Sequence, residues 1–183
     1  MLVLHTALGV AAVGAATHLV IWMRRMNRGQ FGLHKSVKKF AVISLVLHAL
    51  AFLAGNVMYP SYKVEVRAAY LENANAIIEE ANVHQREVDK IAAREASPTV
   101  EQSATSEMVM RAAKAARWFD VKEHWIALGL IASLGLTLLL RFWNPKTDTP
   151  ALSPIAFALS IVIAGTVWLG AIIGVLTSSY RAI

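Results

Sequence analysis

The chain has 183 residues, 56% of them hydrophobic, and a formal charge of +6 at neutral pH. It has no cysteine, which excludes disulfides, thiolate zinc sites, iron–sulfur clusters and c-type haem attached through this chain. The apolar residues fall in long runs, which places the chain among membrane proteins, and a basic surplus beside such runs orients helices against anionic headgroups without calling for nucleic acid.

The first run, Leu2 to Met23, has no basic residue before it and Arg24, Arg25 and Arg28 after it. That is the reverse of a signal peptide, so the run reads as a membrane span. The second run is Phe40 to Met58, and Tyr59-Pro60 after it predicts the end of its helix. Between these runs lie Arg24, Arg25, Arg28, Lys35, Lys38 and Lys39 and no acid. The excess of positive charge puts this connection in the cytoplasm and both termini outside, in a multi-pass protein of the plasma (inner) membrane.

The next stretch, 59–118, is not lipid-compatible. Lys63 to Ala96 is rich in Ala, Glu, Arg and Lys and favours helix. Ser97-Pro98 breaks it, and Thr99 to Arg117 resumes it with Thr105 or Ser106 as the cap. The third and fourth runs cover Phe119 to Phe142 and Leu152 to Thr177. At about 1.5 Å per residue, each run can cross a hydrocarbon core of about 30 Å. The expected fold class is all-α: an integral membrane four-helix bundle forming a single membrane domain, with an extramembrane helical hairpin between spans two and three. Gly165, Gly170 and Gly174 in the last run suit close helix contact.

His5, His18 and His48 lie within the runs and His124 near the start of the third. An ionisable or metal-binding side chain at membrane depth marks a candidate functional site. Counting from the middle of each run puts His5 and His124 roughly 11 and 10 Å toward the outside, His18 roughly 8 Å toward the cytoplasm and His48 about 2 Å from the midplane. Depth therefore sorts them into an inner set, His18 and His48, and an outer set, His5 and His124. His5 and His18 are separated by about 20 Å along one helix, a height suited to two stacked haems, although their side chains point about 140° apart. Gly9, Gly14 and Gly55 lie one or two turns from these histidines, where missing bulk leaves room for a porphyrin edge or for a neighbouring helix. A lone histidine can equally hydrogen-bond across a helix pair. His34 and His84 fall in the connections and are expected in solvent.

Asp120, Glu123 and His124 stand at i, i+3 and i+4 and share one helix face. That arrangement can bind a metal, relay protons, or hydrogen-bond a quinone or a haem propionate. It can also be an ordinary membrane boundary, with Trp118 and Trp125 as its aromatic belt. Tyr62, Lys63 and Arg67 leave the second span at the same face, where they could bond propionates by charge-assisted contacts.

By its four spans and the layering of these histidines, the chain resembles the small four-helix membrane b-type cytochromes that serve as haem-bearing or quinone-reacting subunits of respiratory complexes. The resemblance implies one or two haem b groups with bis-histidine ligation, His18 with His48 and His5 with His124 as iron ligands. Asp120, Glu123, Arg67, Tyr62 and Lys63 would then contact the haem edge or quinone, with electrons passing between quinone and a partner redox protein of a membrane complex. The sequence departs from a pattern in which two helices each carry two ligands, because His34 sits in the basic connection. Two other readings stand beside this one. The first is a non-enzymatic structural or assembly subunit that docks through the hairpin. The second is a metal-dependent membrane protein using His5, Asp120, Glu123 and His124.

Overall fold

A computed structural model describes residues 1–96, 98 and 105–178, and every regular element among them is helical. The five α-helices are α1 (Leu2–Asn27), α2 (His34–Ser61), α3 (Ala74–Glu95), α4 (Thr105–Phe142) and α5 (Ser153–Ser178). Among the described residues four helical stretches are long and apolar enough to cross a membrane: Leu2–Asn27, Phe31–Leu71, Glu107–Phe142 and Pro150–Ser178. The chain thus has the composition and helix lengths of a multi-pass membrane protein. Ser97 and residues 99–104 lie outside the described residues, as do the side chains of the two expected caps, Thr105 and Ser106.

Local sequence explains most of the boundaries. Gly29, at φ +91°, supplies the left-handed turn that releases α1 into the short 3-10 turn Phe31–Leu33. Asn73 caps α3, its side chain accepting from the Ala76 N–H at 3.2 Å. Pro60 does not close α2 as the sequence predicts. The helical path runs through it to Ser61 and then widens into a π-helix over Tyr62–Leu71. At the end of this segment the Glu72 N–H reaches the Arg67 carbonyl five residues back, at 2.9 Å. Proline removes one i−4 hydrogen bond, and here the helical path is kept, with the register after it changed to a wider one.

Contacts divide the chain into two compact units. The first comprises Met1–Met58 and Val121–Val175, and the second comprises Tyr59–Asp120 with the last described residues from Leu176. In the first unit, Ala16, Leu19, Met23, Met26, Val37, Ala41, Leu136, Leu140, Ala156 and Ile163 form one buried cluster. Helix α5 contributes a stripe of Ser153, Ala156, Ser160, Ile163, Val167 and Gly170, spaced alternately three and four residues apart and buried throughout. Small residues on that stripe let backbones approach. A Cβ on Gly170 would stand 2.4 Å from Ile126 Cδ1, and one on Gly129 would stand 2.0 Å from Thr166 Oγ1. Gly170 therefore serves the close contact expected of it, whereas a Cβ on Gly165 would meet nothing within 4 Å.

In the second unit Leu71, Ile77, Ala112, Ala115 and Ala116 form a small core, with Tyr62, Val66 and Tyr70 packed on it. Tyr62 stacks on Phe119 with ring centroids 3.8 Å apart, and Tyr59 stacks on both rings.

The tight junction at Gly129 yields a stability test. Gly129→Ala should lower stability by about 1–3 kcal/mol, the usual cost of overpacking. Gly135→Ala, whose Cβ meets nothing within 4 Å, should be neutral or gain up to about 1 kcal/mol from helix propensity. Thermal or SDS unfolding of the detergent-solubilised protein checks both.

Candidate functional site

Two of the four expected ligand histidines face the inside of the first unit. His5 on α1 donates from Nδ1 to the Ala51 carbonyl of α2 at 3.1 Å, and its Cε1 stands 3.2 Å from where a Cβ on Gly55 would be. His48 on α2 is 2% exposed and donates from Nε2 to the Ile126 carbonyl of α4 at 3.1 Å. Because a carbonyl can only accept, each ring carries its proton on the bonded nitrogen. The other nitrogen of His48, Nδ1, is buried and has no hydrogen-bond partner.

These contacts fix the register of the helices. His5 lies beside Ala51 and Gly55, while His18 stacks on Phe40 with centroids 5.7 Å apart and planes 19° from parallel. Helices α1 and α2 therefore run antiparallel, with His18 opposite Phe40. His48 is eight residues further along α2, about 12 Å away in height, and His18 is exposed. The inner set, His18 with His48, is not brought together. Two imidazoles that share one iron must face each other at one level, and these differ in both height and direction.

The outer set is turned apart. The Lys122 ammonium of α4 lies within electrostatic reach of His5 and 3.4 Å from where a Cβ on Gly174 would stand. His124 is two residues on, about 3 Å in height but some 160° around the helix. The inward face of α4 is Lys122, Ile126, Gly129, Ser133 and Leu136; His124, Trp125, Leu128, Ile131 and Leu138 lie on its exposed side. His5 therefore points inward, within the field of Lys122, and His124 points away. The histidines as placed do not fit a bis-histidine haem in either expected pairing. Among the described residues no group of three or more His, Cys, Asp or Glu is placed to hold a metal ion.

Arg67 and Asp120 do come together, within the second unit. The guanidinium donates to both Asp120 oxygens, from Nη1 at 2.6 Å and Nη2 at 3.2 Å, and from Nε to Glu72 at 2.8 Å. It is thus engaged by two carboxylates of its own chain, one on each side of its fork. The neighbouring Lys63 is exposed, and Tyr62 belongs to the aromatic stack on Phe119. Glu123 is half-buried in the first unit and sits within the field of Lys122. His34 is half-buried, against its expectation as a solvated residue, and His84 is exposed.

Sequence reasoning centred on histidine missed the buried polar groups on the helix faces that carry His48 and Gly129. Ser44, Ser133 and Thr166 are each about as buried as His48. Thr166 donates to the Ile163 carbonyl at 2.9 Å and meets His48 across Gly129. Ser44 is four residues before His48, and Ser133 is four after Gly129, so each shares a helix face with its partner. That i, i+4 repetition of small and polar residues was a signal present in the sequence. Lys122, seven residues before Gly129 on the same face, was another.

No protein-family model, curated protein or solved structure matches the chain.

The placement gives two tests. His48→Ala removes an interhelical bond and leaves a cavity, and should cost about 2–3 kcal/mol. His18→Ala, which loses only an exposed ring stack, should cost no more than about 1 kcal/mol; detergent-phase unfolding separates the two. In the second unit a double-mutant cycle on Arg67→Ala and Asp120→Ala should return a coupling of about 1 kcal/mol, as for a partly exposed bidentate pair.

Proposed function

We propose that the chain is a non-enzymatic structural subunit of a larger membrane assembly: a four-helix bundle in the plasma membrane, its termini outside, with the 59–118 segment as an external helical hairpin that docks to other subunits. The observation that carries this reading is where the intramembrane imidazoles spend their contacts. His5 and His48 each bond a backbone carbonyl of a neighbouring helix, and His18 lies on Phe40. Such contacts fix helix against helix, which is the ordinary use of a polar side chain in lipid. Trp168 adds another, donating from Nε1 on α5 to the Thr17 hydroxyl of α1 at 3.0 Å. The orientation follows from the six basic residues between the first two spans.

In this reading the transmembrane helices supply a rigid anchor, and the charged helices 59–118 meet the partner. Arg67 is held by Asp120 and Glu72 as part of that platform. Neither haem nor quinone has a role in it.

A visible spectrum of the protein purified in mild detergent, oxidised and then dithionite-reduced, decides against the electron-transfer alternative when it shows neither a Soret band nor a reduced α-band, as expected here. A reduced α-band that disappears in His48→Ala would overturn the structural reading and make the buried Nδ1 of His48 the first ligand to consider. In native gels of solubilised membranes the chain should migrate well above a monomer in its detergent micelle. Removal of residues 74–95 should release it from that assembly.

A further inference from the structure

At the end of the first unit where α1 turns into α2 and α4 leads into α5, a recess of about 310 Å³ is lined by Gly32, His34, Lys35, Asn144 and Lys146. No carboxylate lines it. The nearby Asp148 is occupied within its own loop, taking the Asn144 N–H at 2.8 Å and the Thr147 hydroxyl at 3.3 Å. The Asn144 side-chain oxygen accepts from the Lys146 N–H at 3.1 Å, which leaves its amide N–H donors to other partners. His34 is set against the Leu140 carbonyl near the end of α4 and the Trp143 carbonyl just beyond it, with Lys38 and Lys146 acting on its ring. Its Nε2 is buried and makes no hydrogen bond. The recess is thus lined by two lysines, an amide and an imidazole, with no carboxylate among them.

We propose that this recess binds a phosphate group, held between the ammonium groups of Lys35 and Lys146 with the Asn144 amide as a further donor. The donor set recognises an anion with several oxygens spread around one centre, which a phosphate mono- or diester offers. Its volume stands at the lower end for ligand pockets, enough for a phosphate with a small polar substituent. A lipid headgroup and a free phosphate share this chemistry. The site stands independently of the role of the histidines inside the spans.

The test uses the full chain in a non-ionic detergent, with phosphatidylglycerol, phosphatidylcholine or inorganic phosphate added separately. Lipid adducts are read by native mass spectrometry, and phosphate by the shift in melting temperature. Lys35→Gln/Lys146→Gln is the site variant; both lysines are exposed, so the fold should survive. Arg24→Gln/Arg28→Gln removes the same charge from outside the recess. Each lysine near a membrane surface contributes about fivefold to the capture of an anion, so the site variant should bind phosphatidylglycerol about 25-fold less well than wild type. The arginine variant should keep most of the binding. Discrimination against phosphatidylcholine identifies a lipid phosphate as the occupant; thermal protection by inorganic phosphate that the site variant loses, without lipid discrimination, identifies a free one. Equal losses in the two double variants, or undiminished binding of both ligands in the site variant, would overturn the proposal.

Discussion

A polar side chain buried among apolar helices in lipid has no water to return to, and the arrangement around His48 follows from that constraint. Its Nε2–H finds a partner only by reaching the Ile126 carbonyl on α4. For the ring to lie there, α4 must present a residue without a side chain, and Gly129 does so. Thr166 of α5 fills the remaining side and turns its own hydroxyl back to Ile163. Three helices are thus registered by one imidazole and one glycine. The hydrophobic effect gives such helices no preference for one another in lipid, so packing and hydrogen bonds of this kind decide which faces meet.

The same constraint explains how α5 can lack any charged residue and still be placed. Its six-residue stripe, from Ser153 to Gly170, presents mostly small side chains to the neighbouring helices. Lys122 is the exception to apolar packing, carried on the inward face of α4 toward Gly174. Its ammonium stands 3.4 Å from where a Cβ on Gly174 would be, close to the end of α5.

Much of the helical organisation was legible in the sequence, because spans are written as long runs whose length matches the bilayer. Each of the four runs lies within an apolar helical stretch or overlaps it closely, but the second and third stretches, Phe31–Leu71 and Glu107–Phe142, extend well beyond the runs at 40–58 and 119–142. The π-helical path beyond Pro60 was not legible, since a proline near a helix end ordinarily reads as a stop and the register that replaces it depends on packing. The histidines were legible as positions but not as pairs. Counting residues gives height along a helix and, within one helix, relative angle; it cannot say how one helix is rotated against the next. His124 shows the limit: its direction depended on Lys122 and Gly129 claiming the inward face.

The reach of the His48 contact along the chain also bears on biogenesis. His48 and Ile126 are 78 residues apart, so when α2 leaves the ribosome its partner carbonyl has not been made. At a synthesis rate of about 5–20 residues per second, the imidazole waits roughly 4–16 s before α4 can arrive. His5 meets Ala51 after a delay of 46 residues, so the α1–α2 pair closes first. During the interval the second span carries an unsatisfied polar group in or beside the insertion machinery, and the intervening segment 59–118 is made in that same period. The order of the chain therefore imposes an order of assembly, with the three-helix junction as its last step.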